Sequence, residues 1–267
     1  MVRASISHPM NNEQAAAGQE QTPIGTMLFY EQPELLNHQE HGSLGLRRPE
    51  RPFEFARRAR VVPLTLAEIP SAQKHYPVIF ADLDNPVPLA VLGRDEDVNL
   101  FVDENGEWER GAYIPAYVRC YPFALAAKSD DEFAVVIDRA ADIVTDEPEQ
   151  PFFDGDKVTP EIQSMLDFCA RYDAELKLTA EFGLRLKELG LLVGQQVTRT
   201  APGSDGEPFA SYFAVDRDKL NELEESDLRE LFSSGCLAGA YAHLFSLENW
   251  QLIIERHVRR SGAPGSG

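Results

Sequence analysis

The chain has 267 residues, with 44 acidic and 25 basic side chains, so that its net charge at neutral pH is −19. Nucleic-acid phosphates and anionic lipid surfaces repel a chain of this charge, and we therefore expect no nucleic-acid partner. The scattered cysteines contain no CxxC pair, which argues against a disulfide scaffold or a zinc site and predicts small buried side chains at Cys120, Cys169 and Cys236.

Local composition divides the chain into three segments. Residues 1–26 are polar, rich in Gln, Asn and Ala, and lack the apolar stretch of a secretory signal, so we expect a disordered leader. Residues 27–260 predict a single globular domain, and the small residues over 261–267 predict a flexible tail. No apolar run reaches the roughly 20 residues of a membrane helix. We expect no membrane span and a cytoplasmic location.

An arginine-rich stretch over residues 47–60 contrasts with the acidic composition. It carries six arginines and two glutamates. A short basic run is weak evidence for nucleic-acid binding. We expect these arginines to pair with acidic groups of the same protein or to remain solvated; docking of an acidic partner is the alternative.

The first ordered half, over about residues 58–145, is predicted to be rich in strands. The β-branched and aromatic runs that indicate strands are Val61–Leu64, Pro77–Ala81, Val87–Gly93, Asn99–Asp103 and Phe133–Asp138. Pro88 favours an edge strand or a bulge, because proline cannot donate a ladder hydrogen bond. Asn105-Gly106 predicts a hairpin turn before Trp108. The aromatic stretch Ala112–Ala127 is expected to be helical.

One long helix dominates the second half. Thr159-Pro160 is a typical helix start, with proline at the first helical position. Apolar residues then recur at helical spacing from Ile162 to Leu189, and Gly190 follows as the C-cap. The pattern predicts a helix of about 30 residues, or roughly 45 Å.

Further strands and a helical group complete the chain. Val193–Thr198 and Ala210–Val215 predict two strands, and Ser226 and Ser246 are the expected N-caps of C-terminal helices. The elements together predict an α+β fold. We expect a mixed, mainly antiparallel sheet packed against one long helix and a C-terminal helical group.

Motifs of common catalytic and cofactor sites are absent from the sequence. We find no GxSxG nucleophile elbow, no GxxxxGK[ST] phosphate loop and no GxGxxG dinucleotide fingerprint, and we expect no cofactor. His38 and His41, with Glu40 between them, have the spacing of a metal-binding pair, but no Asp or Glu ligand demonstrably converges on them. A solvated loop is the expected alternative, and no metal is expected.

The densest group of functional side chains is Trp108, Tyr113, Tyr117, Arg119 and Tyr121. Tyr and Trp combine a large apolar area with a polar tip, and Arg pairs with carboxylates or stacks on rings. Such a group suits a ligand pocket or a protein interface. A core helix whose polar tips reach the surface is the third interpretation.

His243 is the candidate acid–base group. It lies in the apolar run Tyr241-Ala242-His243-Leu244, just before Ser246. A partly buried histidine with a hydrogen-bonding role is one interpretation. A general base or a ligand contact is the other.

The sequence resembles the bacterial SapC family over about residues 27–258. The most specific likeness is the string Tyr113-Ile114-Pro115-Ala116-Tyr117-Val118-Arg119, followed by Tyr121-Pro122-Phe123. Two further stretches of likeness are His75–Phe80 and Phe213–Arg256. The stretch that contains the Tyr-Ile-Pro string also includes Asn99–Val102, Gly106 and Trp108. The resemblance implies a link with a bacterial paracrystalline surface layer, and it carries over no catalytic residue.

Two hypotheses of function follow. The first is a non-enzymatic structural or interaction protein, associated with surface-layer assembly or accessory to a partner protein; it predicts self-association or a stable partner, and exposed aromatic rings around Tyr117. The second is a small-molecule-binding protein or an enzyme of unrecognised type. In it, Arg119 would hold a carboxylate, the tyrosines would line a pocket, and His243 would complete it. Fold and family likeness alone do not decide between them.

Overall fold

The computed structural model describes residues 27–94, 98–127, 133–199 and 206–262. The predicted leader, residues 1–26, lies outside the described residues. The last helix continues to Gly262, so the described structure reaches into the segment predicted as a tail.

The strands are mostly short, and every pair of them is antiparallel. In chain order they are β1 (Pro33–Leu35), β2 (Gly45–Leu46), β3 (Val61–Pro63), β4 (Val78–Phe80), β5 (Pro88–Val91), β6 (Phe123–Ala127), β7 (Phe133–Asp138), β8 (Val144–Thr145), β9 (Gln150–Pro151), β10 (Phe153–Asp154), β11 (Lys157–Val158), β12 (Leu192–Arg199) and β13 (Glu207–Val215).

The helices are concentrated in the second half of the chain. In chain order they are α1 (His38–His41), α2 (Ile69–Ala72), α3 (Ala116–Cys120), α4 (Pro160–Glu188), α5 (Arg217–Asn221), α6 (Glu225–Ser233), α7 (Cys236–Ser246) and α8 (Trp250–Gly262). Short 3-10 turns lie at Glu54–Ala56, Leu66–Glu68 and Leu247–Asn249.

The largest sheet has five strands in the order β12-β13-β4-β5-β3. Strands β4 and β5 are buried at every position, because their continuous apolar runs are covered on both faces. Strands β12 and β13 form a long hairpin whose register shifts between Val197 and Thr198. Helix α7 packs on β4 and β13, and so covers one face of this sheet.

The remaining described strands form smaller sheets. Their orders are β1-β7-β6, β8-β2-β9 and β10-β11. The predicted α+β class with antiparallel pairing is confirmed. Within the described residues the strands are divided among four sheets, and the long helix and the C-terminal helices pack around them.

Helix α4 connects two hydrophobic cores. Its C-terminal part contributes Phe182 and Leu186 to the core beneath the five-stranded sheet. Its N-terminal part contributes Ile162 and Leu166 to a second core, formed with the smaller sheets around Phe123. The two cores are therefore held in a fixed relation by one rigid element.

The predicted long helix is confirmed, with 29 residues from Pro160 to Glu188. It ends where Gly190 adopts φ +68°, a left-handed conformation that favours glycine. Thr159 precedes the helix but does not cap it with its side chain. Its hydroxyl instead donates to the Pro151 carbonyl at 2.7 Å, which ties the start of the helix to β9.

The prediction of a helix over Ala112–Ala127 was wrong for most of that stretch. Only α3, five residues long, is helical. Tyr121 is extended (ψ 135°), as expected for a residue that precedes a proline, and the chain then enters β6. Hydrogen bonding to β7 along the whole of β6 overrides the local preference for helix.

Pro88 lies in neither an edge strand nor a bulge, so that prediction was wrong as well. Strand β5 has β4 on one side and β3 on the other. Pro88 is its first residue, where no donor is required, and its carbonyl accepts the Leu64 N–H at 2.9 Å.

The predicted turn at Asn105-Gly106 is present, but the strands expected on both sides of it are not. Gly106 has φ +73°, and its N–H donates to the Asp103 carbonyl at 3.1 Å. The Asp103 side chain accepts the N–H groups of Asn105 and Glu107 at 2.8 and 2.9 Å, so the backbone is satisfied locally. A single β-bridge between Val102 and Trp108 remains.

The two serines predicted as N-caps do not cap helices. Helix α6 is preceded by Glu224, and Ser226 lies within its first turn. Ser246 is the last residue of α7, fully buried. Its hydroxyl accepts the Val78 N–H at 2.9 Å and donates to the His243 carbonyl at 2.6 Å, which ties α7 to strand β4.

Gly183 marks the closest approach of α4 to the loop before β5. A Cβ atom at this position would collide with the Pro86 carbonyl oxygen, which belongs to the backbone. Gly194 in β12 is different, because a Cβ there would meet its nearest neighbour, a Phe213 ring carbon, at an ordinary 3.9 Å.

We expect Gly183→Ala to lower the free energy of unfolding by about 2 kcal/mol, as overpacking does. The sign is informative, because alanine in place of glycine stabilises an unhindered helix by up to about 1 kcal/mol. Urea denaturation measures the change. Gly194→Ala is the control and should be neutral or stabilising; equal effects of the two substitutions would contradict the close approach.

Candidate functional site

Trp108 belongs to the core. Its indole is buried, packs against Phe53 at 5.7 Å between ring centroids, and donates from Nε1 to the Tyr76 hydroxyl at 3.1 Å. The Tyr76 hydroxyl in turn donates to the Tyr113 carbonyl. Trp108 therefore fixes the backbone at the start of the segment that precedes α3, and its polar tip is not free for a ligand.

Glu68 is a buried carboxylate that accepts hydrogen bonds from several segments of the chain. Only 6% of the residue is exposed. Oε2 accepts the backbone N–H and the hydroxyl of Thr65, at 2.9 and 3.1 Å, which completes a capping box. Oε1 accepts the Tyr113 hydroxyl at 3.0 Å and the Ala116 N–H at 2.6 Å. These four hydrogen bonds compensate the burial of the charge.

Tyr113 and Arg119 form a pair next to this carboxylate. Arg119 donates to the Tyr113 hydroxyl at 3.2 Å, and its guanidinium lies 4.7 Å from the centroid of the Phe168 ring on α4. Burial and then the negative charge of Glu68 raise the pKa of Tyr113 to about 12. The hydroxyl is therefore protonated at neutral pH, donates to Glu68 and accepts from Arg119.

Tyr117 is partly buried, and its aromatic neighbours come from the same chain. Its hydroxyl donates to the Leu28 carbonyl at 3.0 Å, and burial raises its pKa well above the usual range. Phe29 packs against it at 5.4 Å between ring centroids, and also contacts Phe55. The ring expected to be exposed is thus covered by the segment around Phe29.

Tyr121 is attached to a second buried carboxylate, that of Asp138. The Tyr121 hydroxyl donates to Asp138 Oδ2 at 2.9 Å, and its ring stacks on Phe55 with 4.0 Å between centroids. Burial, followed by this hydrogen bond, raises the pKa of Tyr121. Asp138 also accepts the backbone N–H groups of Glu31 and Gln32 at 3.2 and 2.8 Å.

A shallow depression lies beside Tyr113 and Arg119 and opens to solvent. Its volume is about 470 Å³, and it is lined by Ser71, Lys74, His75, Gly111, Ala112, Tyr113, Ile114 and Arg119. Burial lowers the pKa of His75, against the opposing effect of Glu109. The structure therefore brings Tyr113 and Arg119 of the predicted group to one surface, together with a histidine that the sequence analysis did not select.

His243 does not line this depression. It is fully buried on α7, where Nε2 accepts the Val215 N–H at 3.0 Å and the ring lies 5.2 Å from Phe80. Because Nε2 is an acceptor, the neutral ring carries its proton on Nδ1. Burial lowers the pKa of His243 to about 4. These contacts are those of a structural histidine.

The His38–His41 pair does not lie in a solvated loop, and that expectation was wrong for His41. The pair forms α1, and His41 is buried with Nε2 3.1 Å from Glu34. No cluster of three or more metal-ligating side chains occurs in the part of the chain that the structure describes. The three cysteines are free and buried, as predicted.

Three of the six arginines in the arginine-rich stretch form ion pairs within the chain. Arg47 pairs with Asp142 at 2.8 Å, and Arg51 and Arg57 both pair with Glu54 at 3.0 and 3.4 Å. These pairs are partly exposed and contribute little each to stability. They agree with the predicted intramolecular role.

Comparison with known protein families decides where the chain belongs. The model of the SapC family matches residues 36–253, which is most of the chain and includes Glu68, the depression and His243. The chain belongs to the SapC family. No curated protein and no solved structure was found to match it. In the described segments of this SapC chain, none of the helices is both long enough and apolar enough to cross a membrane.

The two buried carboxylates of this SapC chain escaped the sequence analysis. Glu68 had a usable signal, because Thr65-x-x-Glu68 has the spacing of a capping box. Asp138 ends a strand, and nothing local indicates that residues 31 and 32 return to it across more than a hundred positions of sequence. Both carboxylates organise the backbone around the predicted tyrosines.

We expect Glu68→Gln to lower the free energy of unfolding by about 2 kcal/mol or more, because an amide replaces a carboxylate that accepts four hydrogen bonds. Chemical denaturation measures the loss. The control is Glu225→Gln, since Glu225 is an exposed partner of Arg229 and should contribute less than about 0.5 kcal/mol. Equal, small effects of the two variants would contradict the role of Glu68.

His243 predicts a pH dependence of stability. Its pKa is 6.5 in ordinary surroundings and about 4 in the fold, so the unfolded chain takes up the proton first as the pH falls. Its contribution, up to about 3 kcal/mol, is therefore complete above pH 6.5 and is lost as the pH falls toward 4. Denaturation at pH 7 and pH 4.5 should show a larger loss for the wild type than for His243→Gln. Parallel pH profiles would refute this assignment.

Proposed function

We propose that this SapC chain is a non-enzymatic interaction protein, associated with surface-layer assembly or acting as an accessory to a partner protein. The family resemblance supports the link with a surface layer. The proposed binding surface is the outer face of α6 and α7, and its occupant is a partner protein with a basic and apolar surface.

Exposed aromatic rings on the C-terminal helices carry this proposal. Phe232 on α6 is 74% exposed and Phe245 on α7 is 56% exposed, while Leu228 and Tyr241 are also exposed on the same two helices. Helices α6 and α7 pack against each other, and the Tyr241 and Phe245 rings are 6.3 Å apart. Exposed large apolar side chains, of which Tyr241 and Phe245 are in contact here, are typical of protein interaction sites.

The charges around this surface favour a basic partner over a second copy of the chain. Glu222, Glu224 and Glu225 are exposed at the start of α6. Two copies with a net charge of −19 each repel one another, whereas a basic partner is attracted.

The three buried acid–base groups in or near the predicted group support structural roles for these side chains. Glu68, Asp138 and His243 are the buried acid–base side chains in or near the predicted group, and each is engaged by backbone groups of its own chain. General acid–base chemistry requires such a group within hydrogen-bond reach of a substrate.

We expect Phe232→Ser combined with Phe245→Ser to weaken partner binding by about 30-fold or more, as the loss of a central aromatic contact does. The measurement is quantitative affinity capture from bacterial lysate with the wild type and the double variant as baits, followed by binding isotherms with the captured protein. Both baits are first checked for the same stability.

Leu178→Ser is the matched control, since Leu178 is 54% exposed on α4. It should leave binding unchanged. If the double variant retains every partner of the wild type, the proposal fails. A concentration-dependent dimer of the wild type that the double variant abolishes would assign the surface to self-association instead.

A further inference from the structure

The side chains that line the depression beside α3 include cations but no carboxylate. Its lining includes Lys74, His75 and Arg119, and no carboxylate. Among the described residues no salt bridge joins Lys74 or Arg119 to an acidic side chain. In a chain of net charge −19, two cations that form no ion pair among the described residues, with Glu68 buried behind Tyr113, give this concave surface a positive lining.

Arg119 is held in a defined orientation although it is exposed. Its guanidinium stacks on Phe168 at 4.7 Å and lies 5.7 Å from the Tyr113 ring. One N–H group binds the Tyr113 hydroxyl, which Glu68 fixes from the other side. A guanidinium has five N–H donors, so most of them remain available. A planar, pre-oriented fork of this kind matches the geometry of carboxylate and phosphate oxygens.

The other polar groups of the depression have separate roles. Lys74 is exposed just after α2 and supplies a mobile positive charge. The neutral His75 ring offers one N–H donor at the same surface. Tyr113 has both its donor and its acceptor engaged, by Glu68 and Arg119 respectively, so that it positions Arg119 and does not bind a ligand through its hydroxyl.

We propose that this depression binds the oxyanion group, carboxylate or phosphate, of a small ligand, with Arg119 as the main contact and Lys74 as the second charge. A volume of about 470 Å³ lies within the usual range of small-molecule sites. The site is open to solvent, so binding depends on ionic strength. This inference is independent of the proposed interaction through α6 and α7.

The test is a titration of the full chain with inorganic phosphate and, separately, with citrate. Binding is monitored by the NMR signals of the Gly111 and Ala112 amides and of the His75 ring. We expect saturable shifts of the amide signals and a rise in the pKa of His75, because a bound anion favours its protonated form. The neighbouring charges that also act on His75 are Glu109, Lys74 and Arg256, and none of them is altered in the wild-type titration.

Variants identify the contact residues. Arg119→Gln should weaken binding about tenfold or more, and Lys74→Gln should weaken it by a smaller factor. Arg171→Gln is the matched control, because Arg171 also approaches the Phe168 ring, at 6.0 Å, but does not line the depression. Lys74 is exposed, so Lys74→Gln provides a second test of the site if Arg119→Gln is unstable.

The anions distinguish the two possible sources of the oxyanion. Saturation by phosphate alone assigns the site to phosphorylated ligands, and saturation by citrate alone assigns it to carboxylates. The proposal is overturned if neither anion gives saturable shifts, if glycerol gives the same shifts, or if Arg119→Gln and Arg171→Gln bind equally. The double variant of Phe232 and Phe245 should bind anions like the wild type, so failure of one proposal does not imply failure of the other.

Discussion

The buried carboxylate of Glu68 is the constraint on which the region around α3 depends. An ionised carboxyl group inside a protein is costly unless several donors surround it. Here the donors come from three parts of the chain: the capping turn at Thr65, the hydroxyl of Tyr113 and the first N–H of α3. The Tyr113 hydroxyl, fixed by Glu68, in turn accepts a hydrogen bond from Arg119. A surface guanidinium thereby acquires a fixed orientation from an interaction made in the interior.

Helix α4 packs in both cores and also contacts the region around Glu68. It passes from the core around Phe123 to the core beneath the five-stranded sheet, and it supplies the Phe168 ring on which Arg119 stacks. Thr179 on this helix accepts the Leu66 N–H at 2.8 Å, next to the capping turn of Glu68. The long helix is thus joined to the turn Leu66–Glu68 that carries the buried carboxylate. The surface of α6 and α7 is a separate feature, attached to α4 through the Arg185 ion pairs.

Local patterns predicted the parts of the fold that local forces decide. The periodicity and end signals of α4 were sufficient, because helical hydrogen bonds join residues four apart. The stretch Ala112–Ala127 was not predictable in this way, since its second half is a strand only through pairing with β7. For the site, the group selected from the sequence includes Tyr113 and Arg119, which are hydrogen-bonded to each other in the structure. Local patterns gave no sign that His75 joins them, because that placement follows from contacts between distant segments. A buried His243 with a hydrogen-bonding role was one of the two interpretations, and the structure agrees with it.

Residues 28–32 form hydrogen bonds with residues of α3, β6 and β7, far along the chain. Tyr117, Phe123 and Asp138 bind them across sequence separations of 89 to 107 residues, and Phe29 adopts a left-handed φ of +76°, unusual for a bulky side chain. Contacts so distant in sequence form late, after a large loop has closed. During synthesis on the ribosome, the aromatic side chains of residues 28–32 therefore remain exposed to solvent until strand β7 has been synthesised.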